Sequence, residues 1–284
     1  PDVDPHWQPN FWGFEFPFKN EYPMPSTRNA IHNTLTRSQL HNRWWINDPD
    51  CLLVRPNSHL TLDEVQSLAT VIAFTGGPLL LSDDLPHLPA DRIQIARQLA
   101  PLIGKRPQVL DWFDTSFPHL LRLDLRGTIG KWYMLAIFNW KDTPQDYQLQ
   151  IKKFGIPQGQ YFAREFWGGT CFQIREGNLD LNQIPAHGVR VFSLRRIQPK
   201  KACYLGGDLH ISQGLEITKW SATLSNLNFH IERPGNTRGQ IDIYLPQNPT
   251  MMKINHQKID WQILDKQIYR VAVQFEQLAD VSII

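Results

Sequence analysis

The strongest constraint on the fold lies in the first third of the chain. Thr61-Leu62-Asp63-Glu64 is a capping box, a hydroxyl followed three residues on by a carboxylate, and it starts a helix. Behind it Leu62, Val65, Leu68, Ala69 and Ile72 fall on one apolar stripe that ends at Gly76-Gly77. Pro78-Leu79-Leu80-Leu81-Ser82 is then continuously apolar, the pattern of a strand buried on both faces. A further helix is expected over about 89–102, with Ile93, Ala96 and Leu99 on one side and Pro101 and Gly104 closing it. Upstream, Ile31, Leu35 and Leu40 recur at helical spacing over about 26–43, with Ser26 as cap, and 44–46 reads as a short strand. Helices alternating with short apolar strands build a parallel sheet with helices packed outside.

Each of these strands is expected to deposit acids at its carboxyl end, Asp48 and Asp50 after one, Asp83 and Asp84 after the next. In (β/α)8 barrels that rim is the active site. Eight strands make such a barrel and only two or three are legible here, so the expectation is the C-terminal part of one, with an open sheet edge. After Gly104 the pattern changes. Runs at 132–140, 147–151, 161–166, 171–174 and 189–194, separated by Gly and Pro, read as antiparallel strands. Residues 198–202 read as a linker, and 215–220, 227–231, 240–245, 252–254 and 269–275 as a second set of strands. The expected fold class is therefore α/β plus all-β. Residues 1–106 form the barrel portion, 107–197 an antiparallel β-sandwich and 198–284 a second, smaller one.

Composition narrows the function. With 29 basic and 27 acidic residues the net charge is +2, and no basic run is long enough for a nucleic-acid groove. Lys200-Lys201 with Arg195-Arg196 is the densest basic patch and reads as a solvated linker. No apolar run approaches the ~18 residues of a membrane span. The three cysteines, Cys51, Cys171 and Cys203, have neither disulfide nor zinc spacing, which fits a reducing, cytoplasmic setting. No serine elbow, phosphate loop or metal-ligand helix is present, and no cofactor is expected. The chain opens on Pro1-Asp2-Val3-Asp4-Pro5-His6-Trp7 without an initiator Met, and the expectation is that its front has been removed.

Trp44-Trp45-Ile46-Asn47-Asp48-Pro49-Asp50-Cys51 packs indoles, an amide and two carboxylates into eight residues. Acids take sugar hydroxyls and flat rings take the apolar C–H face. Pro49 pushes Asp48 into extended backbone, so Asp48 and Asp50 could face one way. The competing reading is a plain turn, because Asn and Asp form turns for local reasons. Asp2 and Asp4 read equally as solvated terminal acids, His6 as a surface histidine, and Asp83 and Asp84 as caps or loop-backbone acceptors. Seven aromatics between Trp7 and Tyr22, among Pro9 and Pro17, either pack a loop onto the protein or wall a cleft.

Three blocks, Trp45–Arg55, Leu60–Val65 and Gly77–Leu85, resemble the α-galactosidases (melibiases) of glycoside hydrolase family 36 in motif and spacing, with family 27 related to them. Asp111-Trp112-Phe113-Asp114 and Phe138-Asn139-Trp140 look like the start and an early strand of that family's C-terminal β domain. The resemblance implies retaining hydrolysis of terminal α-linked galactose by two carboxylates. It makes Asp2 the general acid/base. It makes Asp50, Cys51, Asp48, Asn47, Trp45 and Trp7 substrate-binding residues, and it assigns the nucleophile to no residue here. Asp4 departs from the small residue usual in the family. The implied partners are an α-galactoside and the rest of the barrel, as a missing N-terminal part or an oligomer partner, with no nucleic acid and no membrane. The chain alone is then expected to be inactive. Its rivals are a non-catalytic carbohydrate-binding or structural fragment, half of a split enzyme, and the same fold acting on another α-linked sugar such as an N-acetylgalactosamine glycoside.

Overall fold

The computed structural model describes residues 6–8, 10–11, 14–15, 25–223 and 226–284; of 10–11 and 14–15 only the backbone is described. Asp2 and Asp4, and the aromatics of 9–24, lie outside the described side chains. The chain divides into two compact units. The first comprises 1–123, 136–147 and 180–190, and the second 124–135, 148–179 and 191–284.

Among the described residues, three α-helices belong to the first unit: α1 (Thr27–Arg37), α2 (Leu62–Thr75) and α3 (Ala90–Leu99). The Ser26 hydroxyl caps α1 by accepting from the Asn29 N–H at 3.1 Å. The α2 capping box is formed in both directions. Thr61 N donates to Glu64 Oε2 at 2.7 Å, and Glu64 N donates to Thr61 Oγ1 at 3.3 Å. Val65, Leu68, Ala69 and Ile72 are fully buried, whereas Leu62 at the first position is 46% exposed and does not join the stripe. Gly76 ends the helix at φ 77, a left-handed cap that a side chain would strain. Ala96 and Leu99 of α3 are buried as expected; Ile93 is half-buried, and Ile95 completes the inward face.

The parallel sheet of the described residues is one strand–helix–strand unit. Cys51–Leu52 pairs in parallel with Leu80–Leu81, with α2 between them in sequence. Three expectations are corrected. The segment 44–46 is not a strand, because Asn42 N donates to Trp45 O (2.8 Å) and Trp44 N to Leu40 O (3.1 Å), which closes a turn. The strand starts at Cys51, so Asp48 and Asp50 precede it rather than follow it. The run at 78–82 is not buried on both faces, since Leu80 and Leu81 are 45% and 36% exposed. Its single described partner is a strand of two residues. Asp83 does stand at the carboxyl end, where its side chain, fully buried, accepts from Val54 N (2.6 Å) and pairs with Arg55 (2.9 Å).

The rest of the chain is mainly strands. One six-stranded sheet has the order Cys171–Ile174, Tyr161–Glu165, Val189–Arg196, Gly130–Phe138, Leu120–Gly127, Gln108–Val109. Gln145–Gln150 pairs with Asn178–Ile184. In the second unit two long strands, Leu227–Tyr244 and Ile268–Ile283, pair antiparallel with one irregularity between Glu232 and Asn236. Pro234-Gly235 sits there, and Gly235 has φ 66. Proline has no N–H to give the ladder, so this pair forms a bulge instead of the strand break its sequence suggests. Each long strand then serves two sets of partners. Leu227–Tyr244 pairs at one end with Ile217–Ala222 and at the other with Cys203–Gly207. Ile268–Ile283 pairs likewise with Gln262–Asp265 and Met252–Ile254. Phe229, Ile231, Ile241, Ile243, Val271 and Val281 fill the space behind them.

The same unit contains a buried ion cluster. Asp242, with no exposed side-chain surface, takes Arg164 Nε at 2.7 Å on one oxygen and Arg270 Nε at 2.7 Å on the other. Arg164 also donates to Gly207 O (2.9 Å) and Gln213 Oε1 (3.0 Å), so its donors are spent inside. Arg195 is not part of a solvated patch, as expected, but is 3% exposed with its guanidinium 4.3 Å over the Trp132 ring. Lys200 and Lys201 are exposed. All three cysteines are free, and burial pushes the Cys171 thiol up to about 12 and the Cys203 thiol up to about 11.

Two stability predictions follow from charge burial. Asp242→Asn takes the carboxylate from the buried Arg164 guanidinium and the partly buried Arg270 guanidinium and is expected to cost about 3–5 kcal/mol, read as a drop in the urea midpoint. A cost below 1 kcal/mol contradicts the cluster's role. In the first unit, burial would raise the Asp111 carboxyl, but hydrogen bonds from the His119 ring and N–H and from Leu120 N hold it below its ordinary 3.8. A depressed folded value gives stability that is present above pH 3.8 and lost as pH falls through the folded value. Asp111→Asn is therefore expected to flatten the acid limb of a pH–stability curve below 3.8, and an unchanged limb contradicts this.

Candidate functional site

A cavity of about 380 Å3 lies between α1 and the turn that precedes Cys51. Its floor is the helix face carrying Asn29, Ala30, Asn33, Thr34 and Arg37, and its wall is Trp45, Ile46, Asn47, Asp48 and Asp50. Spacing of four places Asn29, Asn33 and Arg37 on one helical edge. Thr34 turns its hydroxyl back to Ala30 O at 2.8 Å, which leaves the amides and the guanidinium to face the cavity.

The wall is shaped by local bonds. Asp50 N donates to Asp48 Oδ1 at 2.9 Å, and Cys51 N to Asp50 Oδ1 at 2.6 Å. This is an Asx-type turn, and it holds Asp50 at φ 70 in the left-handed region. Asn47 N donates to His41 Nδ1 at 3.0 Å, while Trp45 Nε1 donates to Asn47 Oδ1. Burial and the Arg106 cation lower the His41 pKa, which keeps the ring neutral as an acceptor. Behind the turn sits Gly77. A Cβ there would come within 2.4 Å of Asn47 O and 2.8 Å of Pro49 Cδ, so only glycine permits this seat.

The turn reading holds for these residues, and Asn47, Asp48 and Asp50 also line the cavity. Asp48 and one oxygen of Asp50 serve the turn. What the turn leaves over is specific: Asn47 Nδ2 and Asp50 Oδ2 are buried and have no hydrogen-bond partner among the described residues. One is a donor and the other an acceptor, and both residues line the cavity. Buried polar groups are normally paired, and unpaired ones are costly. A polyhydroxylated ligand could satisfy both with vicinal hydroxyls, each of which donates and accepts. Trp45, 44% exposed, supplies the adjacent ring.

The structure thus brings together Trp45, Asn47, Asp48 and Asp50 around one cavity. Cys51 is outside its lining, with its sulfur accepting from the Ser82 hydroxyl at 3.0 Å. Trp7 is also outside it, 7% exposed and stacked on His187 with ring centres 4.3 Å apart. Asp2 lies outside the described residues. Asn29, Asn33 and Arg37 were not legible as site residues, because a polar helix edge reads as a solvated face. Among the described residues no group of three or more His, Cys, Asp or Glu could hold a metal ion, and no helix is long and apolar enough to cross a membrane.

No protein-family profile matches the chain. A curated protein described as probable alpha-galactosidase A from Aspergillus clavatus is 27% identical over 166 residues, 58% of this chain and 31% of that protein. The crystal structure of alpha-galactosidase I from Mortierella vinacea matches with a TM-score of 0.51 and 16% identity, over 69% of this chain and 51% of that one. An alfa-galactosidase from Saccharomyces cerevisiae solved with raffinose gives 0.48 and 14%, over 61% of this chain and 52% of that one. The chain therefore spans about a third of the curated relative and about half of the Mortierella structure. Its fold is α-galactosidase-like.

Proposed function

We propose that this chain is part of a retaining glycoside hydrolase of the α-galactosidase type, most similar in its motifs to family 36. The strand–helix–strand unit at 51–81 is then a piece of a (β/α)8 barrel, and the cavity beside it receives the terminal galactose. The observation that carries the proposal is the unspent donor and acceptor on Asn47 and Asp50. Two buried, unpaired groups of opposite sense in a cavity of this size suit a pyranose better than an apolar ligand. Asp48 and Trp45 complete the wall.

Catalysis in such an enzyme needs two carboxylates about 5–5.5 Å apart. One attacks the anomeric carbon while the other protonates the leaving oxygen and then activates water. Asp2 takes the acid/base role in this proposal, and none of the 284 residues is assigned as nucleophile. Galactose binding without turnover is therefore expected of these residues alone. Turnover of an aryl α-galactoside that disappears in Asp2→Asn would overturn that division.

Binding is measured by titration calorimetry. Galactose is expected to bind, glucose more weakly, and Asp50→Asn to lose about tenfold or more, as removal of a charge-assisted hydrogen bond implies. No binding, or an unchanged affinity in Asp50→Asn, contradicts the proposal. Gly77→Ala forces Asn47–Pro49 outward. It is expected to cost about 1–3 kcal/mol in urea unfolding and to weaken galactose binding together with stability. A substitution neutral in both would show that the turn does not depend on Gly77.

A further inference from the structure

His187 lies outside the cavity and is the most heavily engaged histidine described. Its Nδ1 meets Glu64 Oε1 at 2.7 Å and its Nε2 meets Asp142 Oδ1 at 2.9 Å. Its ring stacks on Trp7 with planes 13° apart. Its carbonyl accepts from Ser67 Oγ at 2.6 Å, and its φ of 55 lies in the left-handed region. Four separate contacts therefore hold this histidine in a left-handed backbone conformation.

One of those contacts, the Trp7 stack, falls on the short segment 6–8. Trp7 is buried against His187 and, with ring centres 5.9 Å apart, Trp140. Its carbonyl accepts from Arg28 N at 2.9 Å, and the His6 carbonyl accepts from Thr27 N at 3.0 Å. The same Glu64 is the α2 capping-box acid, with its other oxygen on Thr61 N. One imidazole therefore links the start of α2, the turn at Asp142 and the Trp7 indole.

We propose that His187 is a positioning residue, a cationic staple between Glu64 and Asp142 on which the Trp7 ring is seated. Two hydrogen bonds from the ring to two carboxylates require both nitrogens to be protonated. The resulting cation also attracts the indole face. When the proton leaves, one N–H remains. It stays on Glu64, whose side chain is 7% exposed, while Asp142, 82% exposed, turns to water. The segment 6–8 is then held less firmly. Trp7 stands five positions after Asp2, so the staple fixes the base of the segment assigned to the acid/base; this consequence rests on the function proposed above, and the staple itself does not.

The charged groups facing the ring are Glu64 and Asp142, with Arg28 acting on Asp142. Burial would lower the His187 pKa, but the hydrogen bonds and charges of Glu64 and Asp142 raise it above the ordinary 6.5. A raised folded value gives a contribution that is complete below pH 6.5 and lost as pH rises through the folded value.

The test is nitrogen NMR of the chain labelled in tryptophan, with the Trp7 indole assigned by Trp7→Phe. The Trp7 indole resonance is expected to move with a single midpoint above 6.5, shared with the His187 ring protons. That movement should vanish in His187→Gln. Asp142→Asn, at an exposed position, should shift the midpoint down and keeps the test decisive if His187→Gln does not fold. A Trp7 resonance unmoved over roughly pH 5–9, or moving equally in His187→Gln, or a midpoint unchanged in Asp142→Asn, would overturn the staple. None of these readouts needs galactose, so the staple stands or falls apart from the glycosidase proposal.

Discussion

The candidate site depends on one close approach, the seat of the Asn47–Pro49 backbone on Gly77. The Asx turn in the cavity wall rests on it. With the turn pressed against Gly77, Asp48 can close the Asx bond and Asp50 is driven into the left-handed region. That geometry spends one oxygen of Asp50 on Cys51 N and leaves the other buried and unpaired. A side chain at 77 would lift the turn, let water reach both groups, and remove the reason for a polar ligand to bind.

The second unit is organised by a different force. Its two long strands share one ladder through the Pro234-Gly235 bulge, and Asp242 on one of them gathers Arg164 and Arg270. A buried carboxylate between two guanidinium groups adds less net stability than it costs when broken. Its effect is specificity of packing: Arg164 and Arg270 cannot be elsewhere without leaving a charge unpaired. Arg195 is handled differently, placed over the Trp132 ring and donating to Gln213 O. A guanidinium is planar and can stack on an aromatic face, which a lysine ammonium cannot do.

Local signals in the sequence were read well where one segment decides its own structure. The Thr61–Glu64 box, the Ser26 cap and the end of α2 at Gly76 depend on neighbours within a few positions. Errors arose where distant residues decide. Trp44-Trp45-Ile46 has the composition of a strand, yet backbone bonds from the preceding turn curl it. Pro234-Gly235 has the composition of a break, yet a fifteen-residue-scale pairing with the strand beyond carries it through as a bulge. The continuous apolar run at 78–82 signals burial that its short described partner does not supply. At the site, Trp45, Asn47, Asp48 and Asp50 were legible because they are contiguous. The helical edge of Asn29, Asn33 and Arg37 was not, and neither was His187, whose partner Glu64 is 123 positions away.

The central claim is that the unspent groups of Asn47 and Asp50 receive sugar hydroxyls. The most direct measurement is the side-chain NMR signal of Asn47 Nδ2 and of the Asp50 carboxyl carbon during addition of galactose. The account predicts saturable shifts in both, with one shared binding curve. Both signals staying fixed while galactose binds, with shifts confined to residues away from α1 and the Asn47–Asp50 turn, would contradict it.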